Sequence, residues 1–286
     1  MTAESGKPGQ EEMELPSIVI RPLRGWMPIN LGELWAYREL LFFFIWRNIK
    51  IYYRQAVFGF AWAIIQPLFM MIVFSLFFGT LAKVPSGDVP YPLFSYAALV
   101  PWVLFASAIT RASNSLTHNA NLIQKVYFPR LLMPLADVLS PVVDFVIAFV
   151  ILIGMMFYFG YYPTVIMLMV PVFLILELML ALGMGLWLSA INVEYRDVTF
   201  LVPLLIQLWL FASPIIYSVS FVPERFHTAY ALLNPMVGII EGFRWTILGT
   251  EPPSLMLLAS TGIIIVILIS GAFYFRRREK SFADVV

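Results

Sequence analysis

Six long apolar stretches constrain the fold of this chain more than any other feature; they run at about residues 57–81, 93–109, 138–159, 165–191, 198–217 and 255–275. A hydrocarbon core about 30 Å thick is crossed by roughly 20 apolar residues in a helix, which is the length these stretches approach. Inside lipid every backbone N–H and C=O needs an internal partner, so such segments fold as helices. Pro101 interrupts the second stretch, where neighbouring helices can satisfy the group it frees. The expected fold is an all-α integral membrane protein of six transmembrane helices, and the even number puts both termini on one side. With 61% hydrophobic and 12% charged residues, a water-soluble globular domain is excluded.

Lysine and arginine choose that side. Fifteen of them fall on one face: seven from Lys7 to Arg54, then Arg111, Lys125 and Arg130, then Arg196, and finally Arg276, Arg277, Arg278 and Lys280. Only Lys83, Arg225 and Arg244 fall on the other. The positive-inside rule makes the first face cytoplasmic. Residues 1–30 carry Glu4, Glu11, Glu12 and Glu14 without a continuous apolar core, so they are expected to be a cytoplasmic segment and not a cleavable signal peptide. Residues 276–286 then form a cytoplasmic tail.

Between these limits several pieces do not span. In 31–56, Phe42, Ile45, Trp46, Ile49, Tyr52 and Tyr53 recur at helical spacing beside a basic stripe of Arg47, Lys50 and Arg54. That pattern predicts an amphipathic helix in the cytoplasmic interface, either a plain anchor or also a cradle for a partner. The loop 111–137 is polar from Ser113 to Asn121 and then amphipathic from Leu122 to Arg130, which fits a partner-binding helix or an extension of the second span. His118 is expected to be an exposed polar residue. The break Asn192-Val193-Glu194-Tyr195-Arg196-Asp197-Val198 places charges where the chain leaves one span and starts the next, with residues 192–197 as a cytoplasmic turn. In the external region 218–253, Ala229–Ile240 and Gly242–Leu248 are too short to cross and are punctuated by Asn234-Pro235, Gly238 and Gly249. Two short helices dipping into the outer leaflet, acting as a cap or a gate, would fit, with Glu241 and Arg244 neutralising each other at i, i+3.

Asp144 and Glu177 are the carboxylates deepest in the apolar runs, and an intramembrane ionisable group is a functional candidate. They could relay protons or hold a neighbouring helix. Aromatic residues, among them Tyr158, Trp209, Phe211 and Tyr217, gather near the predicted outer ends. They suit an interfacial belt or a passage on which sugar rings stack. The chain has no cysteine, and its two histidines, His118 and His227, are far apart, so thiolate or histidine metal chemistry lacks ligands. No phosphate-binding G-x-x-x-x-G-K-[ST] loop, H-E-x-x-H or G-x-S-x-G occurs.

Several segments carry a resemblance that extends from about Ile20 to Arg278. They are Arg21 to Trp26, Leu31 to Leu41, Gly59 to Pro67, Asn192 to Val198, Ser213-Pro214-Ile215-Ile216-Tyr217, and Asn234-Pro235-Met236 through Glu241-Gly242-Phe243-Arg244. In order and spacing the chain resembles the permease subunit of polysaccharide-exporting ABC transporters, the ABC-2-type permeases that export O-antigen, capsule and teichoic acid. The resemblance implies a homodimer in the bacterial inner membrane bound to two copies of a cytoplasmic ABC ATPase. ATP and Mg would be held by that partner, with no cofactor in this chain, no catalytic residue and no nucleic acid as partner. It implies an undecaprenyl-diphosphate-linked polysaccharide as cargo. By the same resemblance Glu194, Tyr195, Arg196 and Asp197, together with Gln124, Lys125, Tyr127, Arg130 and Glu39, would couple to the ATPase. Asn234, Pro235, Glu241 and Arg244 would belong to the external gate. Two other readings stay open: an ion-coupled carrier using Asp144 and Glu177, and a membrane glycan transferase using Glu241 or Asp88.

Overall fold

The computed structural model describes residues 31–54, 59–252, 255–279 and 282, and all described regular structure is helical. Expectations for residues 1–30, for 55–58 and for most of the tail lie outside the described residues. Two helices, α1 (Leu31–Ala36) and α2 (Arg38–Arg54), precede α3 (Trp62–Phe74), which widens into π-helical turns over Ser75–Leu81. Then come α4 (Tyr91–Ser113), the short α5 (Ser115–His118) and α6 (Ala120–Lys125), α7 (Leu132–Leu139) and α8 (Val142–Tyr158). The chain continues with α9 (Val170–Glu194), α10 (Val198–Ala212), α11 (His227–Leu233), α12 (Met236–Leu248) and α13 (Leu255–Arg278).

Five segments are long and apolar enough to cross a bilayer: Trp62–Leu81, Tyr91–Ser113, Leu132–Tyr158, Val165–Glu194 and Leu255–Arg278. The expected span at 198–217 is helical only over Val198–Ala212, 15 residues. At 1.5 Å per residue that is about 22 Å, short of the hydrocarbon core. Its stop is local: Ser213 precedes Pro214, and ring crowding pushes that residue to extended backbone, here φ −101, ψ 152. The third segment starts at Leu132, not at 138, so a piece expected in the loop is the first part of a span. The polar Asp137 concealed that start from a reading by apolar length.

The buried helix α4 is the axis of the fold. It begins after Pro90 with Pro92 in its first turn, where a missing N–H removes no intrahelical bond. Leu93 to Leu99 are all buried, and packing continues through Phe105 and Ala112 to Ser113, with α3, α7, α8, α9, α10 and α12 around it. Apolar side chains on the outer helices, such as Phe69, Val150, Ile175 and Leu258, are exposed, as expected of surfaces whose solvent is lipid. The longest crossing, α9 on α13, closes at two glycines. A Cβ on Gly271 would lie 2.3 Å from the Gly183 carbonyl oxygen, and one on Gly183 would lie 2.7 Å from the Leu268 Cα. Only hydrogen side chains let these backbones approach so closely.

Two expectations about the non-spanning helices need correction. The segment 31–56 is not one helix, since it turns at Tyr37 between α1 and α2. Its buried face is set by Phe44, at 2% exposure, packed on Phe128, whereas Phe42, Trp46 and Tyr52 of the predicted apolar face are exposed. Helix α2 is therefore apolar on two sides, one for the protein and one for the bilayer. In the external region the break falls at Asn234-Pro235 and not at Glu241, because proline cannot continue a helix while the Glu241 position can. Helix α12, 13 residues long, is packed firmly into the bundle. It is buried along most of its length against α4, α9 and α13, and ends at Gly249 in the left-handed conformation, φ +69.

Candidate functional site

The NVEYRDV segment is compressed into a three-residue link between α9 and α10. Glu194, Tyr195, Arg196 and Asp197 are consecutive exposed side chains, and the residues on either side, Asn192, Val193 and Val198, are buried. The Glu194 carboxylate accepts from the Arg278 guanidinium at the end of α13. No described residue pairs with Arg196. Inside the turn, Asn192 Nδ2 donates to the Ser113 carbonyl at 2.9 Å and to Asn114 Oδ1 at 3.1 Å, and the Thr199 hydroxyl donates to Asn114 Oδ1 at 2.9 Å.

The 111–137 loop meets the same end of the bundle. Arg130 joins Glu279, and Arg276 bonds Glu279 at 2.7 Å, so the loop and the turn converge on adjacent residues at the end of α13. Gln124, Lys125 and Tyr127 are exposed, and so is Glu39 on α2. Ser113, Asn114 and Ser115, expected as polar loop, are buried instead, while His118 is exposed as expected. The basic stripe of α2 is split by packing. Lys50 lies over the Trp46 ring, 5.3 Å from its centroid, but Arg47 turns inward and donates to Asn119 Oδ1 at 2.8 Å. Burial lowers the Arg47 pKa and the nearby Asp137 opposes that shift. Beside it Asn48 donates to Asp137 at 2.6 Å, tying α2 to α7.

At the opposite end, the two family-like motifs interlock. After α10 stops, the carbonyls of the SPIIY segment have no helix partner, and burial leaves water unable to serve them. Arg244 donates to the Ile215 carbonyl at 3.0 Å and Tyr91 to the Ile216 carbonyl at 2.8 Å. Asn234 donates to the Ala212 carbonyl and to Ser213 Oγ, each at 3.0 Å, and accepts from Trp209 Nε1 at 2.9 Å. Tyr230 also donates to the Ala212 carbonyl, at 2.7 Å, so Tyr217, 2.9 Å away, is the donor between the two phenols. Burial raises the Tyr230 pKa above its usual range. Arg244 is 1% exposed, pairs with Glu241 at 2.9 Å and has its guanidinium 3.6 Å from the Phe94 ring centroid. The i, i+3 pairing is as expected. Asn234, Glu241 and Arg244 sit as struts that hold the end of α10.

The four aromatic residues of the expected path have different surroundings. Tyr158 is 84% exposed at the end of α8 and Phe211 is exposed on α10, whereas Trp209 packs edge-on against Phe105 and Tyr217 bonds Tyr230. Asp144 pairs with Arg111 at 3.3 Å, and Tyr52 covers the same guanidinium at 4.0 Å. Glu177 lies fully buried on α9, separate from that pair. Among the described residues no three histidine, cysteine or carboxylate side chains group to hold a metal. Sequence reading does not single out Asn48, Thr199 or Tyr91, and it takes Asn114 and Asn192 only as parts of a polar loop and a turn. The available signal was an asparagine at the border of an apolar run, a place where a buried amide must find partners.

Comparison with known proteins adds to this geometry. An O-antigen export system permease protein RfbA of Myxococcus xanthus is 28% identical over 260 residues, covering 89% of this chain and 98% of the relative. One of the same name from Klebsiella pneumoniae is 30% identical over 219 residues, covering 76% of this chain and 82% of the relative. A second from Klebsiella pneumoniae is 27% identical over 263 residues, covering 91% and 98%. The family described as ABC-2 type transporter matches residues 39–248, from α2 through the buried strut helix α12, and the chain belongs to that family.

Proposed function

We propose that this chain is the membrane subunit of an ATP-driven exporter that moves an undecaprenyl-diphosphate-linked, O-antigen-like polysaccharide out of the cytoplasm. Two copies form the passage across the bacterial inner membrane, and two copies of a cytoplasmic ABC ATPase drive it. Both termini and the NVEYRDV turn face the cytoplasm, in line with the lysine and arginine distribution. The observation that carries the reading is the exposed run Glu194–Asp197, bounded on each side by buried residues, in a chain of the ABC-2 family. The names of the relatives support the cargo.

In this mechanism ATP closes the ATPase dimer, and the displacement reaches the permease at Glu194–Asp197 and at Gln124–Arg130. The two permease copies then part and a glycan path opens between them, with the struts around Arg244 forming the frame of the outer gate. Coupled motion of this kind requires that the contacted elements be attached to the bundle and not to flexible loops, and both are bonded to the end of α13. The test is co-purification of this chain with its ATPase, followed by ATP-dependent export of lipid-linked glycan in reconstituted vesicles. Export without ATP, or driven by a proton gradient alone, would overturn the proposal.

A further inference from the structure

The turn's exposed charges have a buried counterpart. Asn192 on the last turn of α9 and Thr199 on the first turn of α10 flank Glu194–Asp197, and both converge on Asn114, just past the end of α4. Asn114 Oδ1 accepts from both, while its Nδ2 donates to the Thr110 carbonyl at 2.9 Å, one turn back along α4. The Asn192 amide also caps the Ser113 carbonyl, which lies at a helix end and has lost its own partner. The Thr199 hydroxyl stands 3.2 Å from Asn192 Oδ1 as well, closing a ring of three side chains. Asn192 is 0% and Asn114 8% exposed, so water cannot substitute for the bonds Asn192 makes to Ser113 and Asn114, while Thr199 is half-buried at the edge of the ring.

We infer that Asn114, Asn192 and Thr199 form a positioning triad that makes the coupling turn and the central helix α4 move as one body. This rests on the exporter reading above. A turn anchored at both ends to one residue cannot rotate or slide without breaking buried hydrogen bonds, so a push on Glu194–Asp197 is delivered to Asn114 and thence to Thr110. Among the described residues α4 touches most of the other spanning helices, and it is therefore the element through which one displacement reaches the whole bundle. Without the triad the turn can yield locally, and ATP is hydrolysed without export.

The experiment uses the full exporter, this chain with its ATPase, in vesicles containing polyprenyl-diphosphate-linked O-antigen. It measures ATP hydrolysed per glycan exported together with the thermal midpoint. Thr199→Val keeps the side-chain shape and removes the hydroxyl, and it is expected to raise ATP used per glycan by roughly fivefold, the factor one neutral hydrogen bond is worth. Thr199→Ser is expected to restore the wild-type ratio. Ser189→Ala removes a more deeply buried hydroxyl on α9 that bonds only within its own helix, to the Leu186 carbonyl at 3.2 Å. It is expected to leave the ratio unchanged even where the midpoint falls. Asn192→Ser, which shortens the reach to Ser113 and Asn114, is measured in parallel, so the test stands if either variant assembles. A wild-type ratio in Thr199→Val and Asn192→Ser, or a change no larger than that of Ser189→Ala, overturns the triad. If the unaltered complex exports nothing on adding ATP, the exporter reading fails instead.

Discussion

Arg244 and Arg196 stand in two family-like motifs at opposite ends of the bundle, and they meet opposite surroundings. Arg244 is 1% exposed, paired with Glu241, bonded to the Ile215 carbonyl and stacked on Phe94. Arg196 projects from a turn with exposed neighbours and pairs with no described residue. A buried cation is tolerated when its charge is paired and hydrogen-bonded, and through its bond to Ile215 Arg244 fixes where the broken end of α10 lies. An exposed cation adds almost nothing to stability, and the Arg196 side chain is left accessible from outside the chain. The same residue type thus holds structure at one end and offers contact at the other.

This contrast is open to attack from both sides. Arg244→Ala leaves the Glu241 carboxylate and the Ile215 carbonyl unpaired and is expected to destabilise the protein by about 3–5 kcal/mol. Thermal denaturation of the detergent-purified chain checks it, and a near-wild-type midpoint would remove the strut interpretation. Gly271→Ala drives a methyl group into the Gly183 carbonyl, where backbone and not a flexible side chain must yield. A loss of about 1–3 kcal/mol, read in the same assay, is expected for this overpacking. Tyr91→Phe removes one donor to the Ile216 carbonyl and is expected to cost about 1–2 kcal/mol, sharpening how much of the outer frame rests on each strut. Arg196→Glu is expected to change stability by less than about 0.5 kcal/mol, as surface substitutions do. Measured against ATPase binding and glycan export, the same variant is expected to lose coupling. A variant that exports normally would make Arg196 a simple orientation signal.

Much of this was legible in the sequence because lipid imposes a length and a periodicity that apolar runs cannot disguise. Five of six stretches emerged as helices long enough to cross, with ends shifted by a few residues. The sixth ends early because Pro214 stops it, a signal visible in the sequence but outweighed there by the apolar character of Ile215 and Ile216. The site was legible in part: the exposed turn and the Glu241–Arg244 pair could be found from charge and spacing. The direction in which side chains point could not. Nothing local distinguishes Arg47, which turns inward to Asn119, from Lys50, which stays outside one turn later.

The sequence by itself therefore determined that the chain is a membrane helix bundle, which ends carry charge, and to which family it belongs. The first follows from side-chain hydrophobicity summed along a helix and the others from the order of charged residues and motif segments, and none of these needs knowledge of spatial neighbours. Tertiary structure alone decided that α4 is the axis and that Asn114 joins both sides of the turn. It also decided that Asn234 and Arg244 bond the broken end of α10. The reason is physical: a polar group in an apolar interior acquires its role from the partner it finds, and that partner lies tens of residues away along the chain.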